Sequence, residues 1–371
     1  MTKKSLVIFV MFATFSCSRA QVQPAENGLS QVNTPLTSEQ TQLVYEKTKD
    51  FPNNTQLSIA VIENGEVTFV GIKRLNDTIQ PIENRNKVFE IGSVSKVFTA
   101  VLLANFVMNG EIALNDSIQK FINFELNAGH DITLKELANH TSGLPRLPSN
   151  LNLFFTDPKN PYKNYDEEKL KHYLTEEMEV QQSPAPKFEY SNLGAGLLGY
   201  ILAKCSNLTY NELLHKLIFS KYEMSSSTTN LEKINEELVK GLDRNGNETS
   251  NWDLNVLAGG GGILSTTEDL AKFAVAQFSV ENEELVLAQQ PTFSINDNMK
   301  IGLGWHIVKM NNDFNVLWHN GGTGGYTSSF GIDLERKNGI VILSNVSAFN
   351  EKMGNIDDLC FGLINILRVN K

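Results

Sequence analysis

The chain has 371 residues, of which 41% are hydrophobic and 20% are charged, as is ordinary for a globular protein. Its formal net charge is −10 and it contains no basic run, which excludes a nucleic-acid-binding surface, so we expect no nucleic-acid partner. The six histidines lack the spacing of metal ligands, and we therefore expect no metal and no cofactor.

The first twenty residues have the pattern of a signal peptide. Two lysines precede an apolar run over residues 6–15, which is too short to span a bilayer. A small-x-small sequence that ends at Ala20 predicts cleavage there, whereas a loose lipoprotein box would instead leave Cys17 lipid-modified and anchored to a membrane. Either alternative predicts an exported, periplasmic protein, with residues 1–20 as the signal peptide.

The rest of the chain contains no obvious linker between domains. We expect a loose mature N-terminus over residues 21–38 and a single catalytic domain over 39–371, with a mainly helical insertion at about 105–300. We also expect a monomer. Cys205 and Cys360 could pair in an oxidising compartment, but two cysteines this far apart do not define a disulfide framework, and buried free thiols are the preferred interpretation.

Predicted elements begin with a β-hairpin over residues 57–72, because Asn64-Gly65 supplies the positive φ angles of a tight turn. An unbroken apolar stretch from Ser93 to Met108, stopped by Asn109-Gly110, predicts a buried helix. The middle of the chain predicts further short helices, at 114–122, 133–139, 166–178, 193–204 and 209–219. A segment rich in Pro, Asn and aromatic residues, 144–188, has the composition of a lid or substrate-lining region.

The last third changes character. β-rich runs separated by turn residues are followed by an amphipathic closing helix; the runs are 302–308, 316–319, 327–333 and 340–345, and the helix is 350–368. Strands at both ends with helices between them predict an α+β fold, in which an antiparallel sheet from the N- and C-terminal parts is flanked by helices and carries a mainly helical insertion.

Ser93 and Lys96 form a Ser-x-x-Lys sequence at the start of the predicted helix. The i, i+3 spacing places the hydroxyl and the ammonium on one helical face. A serine hydroxyl needs a partner to take its proton, and a desolvated lysine can have a lowered pKa and share that task. The alternative is a helix cap followed by a solvated lysine, which the tetrapeptide alone does not exclude.

Two further short motifs contain side chains that suit acyl transfer. Tyr190 near a lysine can serve as a general base, and Asn192 can hold a substrate carbonyl. His319 could orient a substrate carboxylate or the tyrosine, and Gly321 and Gly322 would let a substrate backbone lie close to a strand. Taken singly, the motifs are better explained by structure alone, as a core tyrosine, a helix cap and a glycine-rich strand corner.

Together and in this order, Ser93-x-x-Lys96, Tyr190-x-Asn192 and His319-x-Gly321 resemble the three active-site elements of class C β-lactamases and their relatives, the D-alanyl-D-alanine peptidases and β-lactamase-like esterases. The whole stretch 89–96 is similar to the class C signature. Other stretches match as well; they are 137–145, Asn251-Trp252 and 258–266. The similarity covers about residues 55–350.

The resemblance implies a role for each residue. Ser93 would be the acylated nucleophile, and Lys96 and Tyr190 would share its proton. Asn192 would bind the substrate's side-chain amide, and the backbone N–H groups of Ser93 and Gly322 would form the oxyanion hole. His140, in a recurrent motif of the family, would be structural.

One departure bears on the substrate. Class C β-lactamases carry Lys-Thr-Gly where this chain has His319-Asn320-Gly321, and a histidine is mostly neutral near pH 7. The resemblance implies a small-molecule substrate, with β-lactam hydrolysis as the first expectation. An ester or D-amino-acid peptide substrate (a carboxylesterase or a D-alanyl-D-alanine carboxypeptidase) is the second. A non-turnover penicillin-binding sensor is the third.

Overall fold

The structure is a computed structural model of the 371-residue chain. It describes residues 24–31, 34–129, 131–152, 156–178, 180, 185–234, 237–311 and 314–369. The predicted signal peptide and Cys17 lie outside the described residues. Within these ranges, no helix has both the length and the apolar composition needed to cross a bilayer.

The strands lie mainly in the first and last thirds of the chain, as the sequence predicts. They are β1 (Glu26–Asn27), β2 (Gln56–Glu63), β3 (Glu66–Leu75), β4 (Thr78–Ile82), β5 (Val88–Glu90), β6 (Leu264–Thr266), β7 (Phe293–Asn296), β8 (Met299–Ile301), β9 (His306–Lys309), β10 (Asn315–Gly322), β11 (Thr327–Asp333) and β12 (Asn338–Ser344).

The α-helices are concentrated between β5 and β7. They are α1 (Ser38–Thr48), α2 (Ser95–Met108), α3 (Leu134–Ala138), α4 (Glu167–His172), α5 (Asn192–Ser206), α6 (Tyr210–Leu214), α7 (Thr267–Ala276), α8 (Glu283–Gln289) and α9 (Asn355–Val369). The predicted helices at 166–178 and 209–219 each change character partway, because α4 and α6 continue into single π-helical turns, Tyr173–Glu177 and His215–Phe219.

The main sheet joins the two ends of the chain. Its strand order is β1-β4-β3-β2-β12-β11-β10-β9-β8-β7, and β5 and β6 form a separate pair. All neighbours in the main sheet are antiparallel except β1 and β4, which run parallel. The α+β fold class is confirmed, with one parallel edge pair that makes the sheet mixed.

The segment expected to be loose, 21–38, is packed over much of its described length. β1 pairs with β4, and the side chains of Ala25 and Leu29 are buried. The N–H of Ala25 donates to the carbonyl of Lys49 at 2.9 Å. These two apolar side chains and the pairing with β4 attach residues 24–31 to the edge of the sheet.

Alternation along the central strands divides the interior into two hydrophobic cores. On β12, Ile340 and Ile342 face one core, and Val341 and Leu343 face the other. The first core is covered by α9, which buries apolar residues at helical spacing, namely Ile356, Leu359, Cys360, Leu363, Ile364 and Leu367. The second core contains α2, the most buried helix, and places its N-terminus beside the sheet.

Both described cysteines are free thiols, as preferred from the sequence. Cys360 is fully buried on α9, whereas Cys205 is only half-buried. The two therefore differ in their access to solvent.

Candidate active site

Ser93 lies in a tight turn that leads into α2. A 3₁₀ helix spans Gly92–Val94 and continues directly into α2 at Ser95. Gly92 has a φ of 52°, and a Cβ atom there would lie 2.6 Å from the backbone nitrogen of Gly322 on β10. Glycine is therefore required for this close approach, which brings the half-buried Ser93 next to the glycine-rich end of β10.

The Lys96 side chain points back to Ser93. Its Nζ donates to Ser93 Oγ at 3.0 Å, to Asn192 Oδ1 at 2.9 Å and to the carbonyl of Gly260 at 2.6 Å. These contacts join α2, α5 and the glycine-rich turn at 258–262. All three partners are uncharged acceptors, so the amine is positioned without a carboxylate to hold its proton.

Burial controls the charge of this amine. Lys96 is only 2% exposed, and desolvation lowers its pKa well below 10.5; the positive charge of Arg146 lowers that pKa further. The neutral amine has only two N–H groups, which donate to Asn192 and Gly260, so its lone pair faces Ser93 Oγ and can accept the proton of that hydroxyl. The predicted Ser93–Lys96 pair is therefore present with the geometry that proton transfer needs.

Tyr190 lies beside both Ser93 and Lys96. Lys96 Nζ lies 4.8 Å from the centre of its ring. Burial raises the pKa of Tyr190 to about 12, while its side-chain interaction with Ser93 and the positive charge of Arg146 oppose that rise. The phenol thus carries its proton near neutral pH and can pass it on when a stronger base forms beside it.

The Tyr190-Ser191-Asn192 segment is fixed by the first turn of α5. Ser191 caps the helix, since its Oγ accepts from the N–H of Gly194 at 2.8 Å. The N–H of Ser191 donates to His140 Nδ1 at 3.2 Å. This contact gives His140 the supporting position that the sequence suggested, and it leaves the Asn192 amide directed at Lys96.

His319 is buried among aromatic and imidazole rings rather than open to solvent. It is 1% exposed, and its Nδ1 lies 2.6 Å from the carbonyl oxygen of Asn320. Because a carbonyl only accepts, Nδ1 carries the proton and Nε2 is left as an acceptor. Burial lowers the pKa of His319 well below 6.5, and the neighbouring His306 lowers it further. The side chain is therefore neutral at pH 7.

Two more neutral histidines lie beside the Tyr190 ring, next to His319. The rings of His140 and His306 lie 4.6 Å and 6.5 Å from the Tyr190 ring, and His306 lies 5.2 Å from His319. Burial lowers the pKa of His306 to about 4 and that of His140 well below 6.5. None of these three histidines carries a positive charge at neutral pH.

Glycine also shapes the end of β10. A Cβ atom on Gly321 would lie 2.0 Å from the carbonyl oxygen of Ile91, so no side chain fits between the strand and the turn that carries Ser93. Gly322 is half-exposed beside that turn. The backbone N–H groups of Ser93 and Gly322 are thus held on neighbouring segments, as an oxyanion site would require.

Glu90 forms a second buried ionisable group near Ser93. Its Oε1 accepts from Asn251 Nδ2 and from the N–H of Trp252, both at 2.8 Å. Burial raises its pKa to about 7, against the opposing effect of hydrogen bonds from neighbouring groups. Glu90 therefore connects β5 to the Asn251-Trp252 segment that the sequence had singled out without a role.

Sequence reasoning found the residues at the centre of the site and missed several around it. Arg146, Tyr162, His306 and Glu90 all lie close to the predicted residues but had no individual role. Arg146 and Tyr162 belong to the segment 144–188, which was expected to line the substrate site, and Glu90 lies inside the 89–96 motif. His306 reaches the site only through folding of a distant segment.

Comparison with known proteins finds relatives that match most of this chain. Protein flp of Staphylococcus aureus is 23% identical over 306 residues, which cover 78% of this chain and 59% of flp. The chain thus spans less than two thirds of that relative's length. Beta-lactamases of Yersinia enterocolitica and Pseudomonas fluorescens are 26% and 27% identical, over 83% and 68% of this chain and 77% and 69% of theirs.

A solved structure and a family model cover most of the chain. The octameric penicillin-binding protein homologue from Pyrococcus abyssi superposes with a TM-score of 0.73 at 24% identity, over 89% of this chain and 77% of that one, and so has the same fold. The family model described as Beta-lactamase matches residues 51–359, a range that contains Ser93, Lys96, Tyr190 and His319. On its fold, its active-site elements and this match, the chain belongs to the beta-lactamase family.

Proposed function

We propose that this protein hydrolyses amide or ester carbonyls through an acyl-enzyme on Ser93, with the β-lactam ring as its first substrate class. The observation that carries the proposal is the 3.0 Å contact between Lys96 Nζ and Ser93 Oγ in a site where burial favours the neutral amine. A helix cap with a solvated lysine would not bury that amine. The family membership supports the same chemistry.

The proposed reaction has two steps. Lys96 takes the proton of the Ser93 hydroxyl as its oxygen forms a bond to the carbonyl carbon. The carbon–nitrogen or carbon–oxygen bond to the leaving group then breaks, and the leaving group receives the proton of the Tyr190 hydroxyl, which the proton held by Lys96 replaces. Water next attacks the acyl-enzyme, which releases the acid and restores the hydroxyl. The N–H groups of Ser93 and Gly322 stabilise the oxyanion in both steps, and Asn192 holds the acyl amide.

A second candidate function is hydrolysis of esters or of D-amino-acid peptides. The neutral, buried state of His319 favours the ester, because the class C β-lactamases have a lysine at the corresponding position. A β-lactam carries a carboxylate that such a lysine would stabilise, and so does a D-alanyl-D-alanine peptide, whereas a simple ester carries none. The third alternative, a sensor that is acylated and not released, differs only in the second step.

A substrate panel with two readouts separates these candidates. We expect steady-state hydrolysis of a chromogenic cephalosporin, a short p-nitrophenyl ester and a D-alanyl-D-alanine peptide to rank the substrate classes, while intact-mass spectrometry follows the acyl-enzyme. Ser93→Ala should abolish both turnover and labelling, and Ser95→Ala provides a control at the next hydroxyl in the sequence. Labelling that persists in Ser93→Ala would refute the proposal, and labelling without turnover would identify the sensor.

We also infer export to the periplasm, from the lysines and the apolar run before Ala20, and propose that the protein is a monomer. N-terminal sequencing of protein from its native host decides the route. Gln21 as the first residue supports cleavage after Ala20, a lipid-modified Cys17 supports membrane anchoring, and an intact Met1 contradicts export. Light scattering coupled to size-exclusion chromatography tests the monomer.

A further inference from the structure

Arg146 places an unpaired positive charge beside the catalytic groups. Its exposed guanidinium lies over the ring of Tyr190, with the central carbon 5.3 Å from the ring centre. It forms no ion pair with any carboxylate in the part of the chain that the structure describes. Lys187, by contrast, pairs with Glu189 at 2.6 Å. The Arg146 guanidinium is therefore available to an incoming anion.

Main-chain hydrogen bonds fix the position of Arg146 relative to the start of α5. Its carbonyl accepts from the N–H groups of Asn192 and Leu193 at 3.0 and 3.2 Å, and the preceding Pro145 carbonyl accepts from Ser191 Oγ at 2.7 Å. The start of α5 and residues 145–146 thus form one hydrogen-bonded unit. Because these bonds use the main chain, replacing the Arg146 side chain leaves them in place.

The charge of Arg146 lies next to Asn192. The main-chain bonds to the N–H groups of Asn192 and Leu193 place Arg146 at the start of α5. The rings of His140, His306 and His319, which also lie within 6.5 Å of the Tyr190 ring, carry no charge near neutral pH. The Asn192 side of the site therefore carries a positive charge, and the histidine side is uncharged.

We propose that Arg146 binds a carboxylate carried by the acyl part of the substrate, so that the preferred substrates are esters or amides of anionic acyl groups. This inference rests on the proposed function, because the Asn192 side is the acyl side only if Ser93 is acylated. A guanidinium on this side compensates for the neutral histidine side and for a chain whose net charge of −10 repels anions overall.

Two matched substrate pairs test the proposal. Mono-p-nitrophenyl adipate and p-nitrophenyl hexanoate differ by a terminal carboxylate in place of a methyl group, and carbenicillin differs from benzylpenicillin by a carboxylate on the acyl side chain. The ester pair is followed by p-nitrophenolate release as kcat/KM, and the penicillin pair by the rate of Ser93 acylation in intact-mass spectra. The test therefore works whichever substrate class is turned over.

For each pair, the ratio compares the rate with the charged substrate to the rate with the neutral one. Arg146→Gln should lower this ratio by about tenfold in whichever pair reacts, which corresponds to about 1.4 kcal/mol. Arg146→Lys should retain part of that preference, since it keeps the charge and loses the planar fork. Because Arg146 also acts on Tyr190, any loss shared by both members of a pair reports on Tyr190, and the ratio alone reports on recognition.

Arg85→Gln is the matched control. Arg85 is also exposed and also lies over an aromatic ring, with its guanidinium carbon 5.5 Å from the centre of Phe69, but it is outside the site. This variant should leave both ratios unchanged. A third pair, 3-carboxyphenyl hexanoate and phenyl hexanoate, carries the carboxylate on the leaving group, and its ratio should be insensitive to Arg146→Gln.

The outcomes separate the two proposals. If no member of either acyl-side pair acylates Ser93 and no ester is hydrolysed, the proposed function fails and this inference fails with it. If substrates react but Arg146→Gln leaves both acyl-side ratios unchanged, only the role of Arg146 is refuted. An effect confined to the leaving-group pair would also refute acyl-side recognition.

Discussion

Two buried ionisable groups flank the nucleophile, Glu90 three residues before Ser93 and Lys96 three residues after it. Neither has a partner of opposite charge among the described residues, and burial shifts both pKa values towards neutrality, that of Glu90 upwards to about 7 and that of Lys96 well below 10.5. Their surroundings differ. Lys96 contacts the half-buried Ser93, whereas Glu90 accepts hydrogen bonds from Asn251 and Trp252.

The comparison shows that a shifted pKa alone does not identify a catalytic group. Only Lys96 contacts an accessible hydroxyl from which a proton can be taken. Glu90 instead holds together two segments that are distant in sequence. We expect changes at Lys96 to act on rate and changes at Glu90 to act on stability, and the variants below test that division.

Lys96→Met should have the largest effect, a loss of about 10³-fold or more in kcat, because the proton acceptor of Ser93 is removed. The same change should leave the free energy of unfolding near neutral pH unchanged or raised, since a desolvated amine is replaced by an apolar side chain of similar length. Ester hydrolysis and urea denaturation measure the two effects.

Lys120→Met is the control for this variant. Lys120 is an exposed lysine whose side chain pairs with Asp116, and its replacement should alter neither quantity appreciably. A Lys96→Met protein that keeps near-normal kcat would show that Lys96, like Glu90, has a structural role only.

Tyr190→Phe should lower kcat by about 10²- to 10⁴-fold, the range typical of general acid–base groups. Combined with Lys96→Met, the losses should not add, because the two side chains act on one proton. Tyr165→Phe is a suitable control, since it removes another largely buried hydroxyl, which donates to Asn150 at 2.8 Å. Full additivity in the double variant would show that the two residues act in separate steps.

Glu90→Gln should change the pH dependence of stability. A carboxyl whose pKa is raised in the folded state contributes stability that is fully present below its unfolded pKa of 4.5 and is lost as the pH rises through 7. The free energy of unfolding of the wild type, relative to Glu90→Gln, should therefore fall by up to about 3 kcal/mol between pH 4.5 and 7.

Urea denaturation across that pH range measures this difference, and Glu63→Gln, which changes an exposed carboxylate on β2, serves as the reference. A difference that does not vary with pH would show that Glu90 is ionised in the folded protein. Glu90 would then ionise like an ordinary surface carboxylate in spite of its burial.

His319→Lys extends the comparison to β10, where a third buried ionisable group is neutral. A lysine there should raise β-lactam turnover relative to ester turnover by about tenfold, the effect expected of one charge-assisted hydrogen bond to the β-lactam carboxylate. The ratio of cephalosporin to p-nitrophenyl ester kcat/KM measures it. His172→Lys makes the same change at an exposed position, and an equal response in both variants would contradict a local effect.

The parts of the fold that local signals determine were predicted closely. The hairpin of β2 and β3 turns at Asn64-Gly65, where both residues have positive φ, and α2 ends at Met108 before Gly110. The strands β5 and β6 were missed, because three residues each are too few to show a period. Their pairing is defined by a partner that is far away in sequence.

The site residues divide in the same way, into those that local motifs reveal and those that depend on contacts between distant segments. Ser93, Lys96, Tyr190 and Asn192 were found because they belong to compact motifs, and the structure brings them together. A mostly neutral His319 was expected from the sequence, but its burial beside histidines from other segments, which lowers its pKa well below 6.5, could not be predicted. Arg146 was missed for a related reason, since only the position of Tyr190 makes that surface arginine part of the site.

The pairing of β2 with β12 has a consequence for how the family can vary. It places Ile62 opposite Gly339, so the chain between them, including the whole helical insertion, forms one closed loop anchored at the centre of the sheet. The entropy of closing a flexible loop grows only logarithmically, and doubling its length costs about 0.6 kcal/mol. Insertions and deletions in the substrate-lining segments are therefore thermodynamically cheap, so new specificities can evolve there while the sheet that holds Ser93 against β10 stays the same.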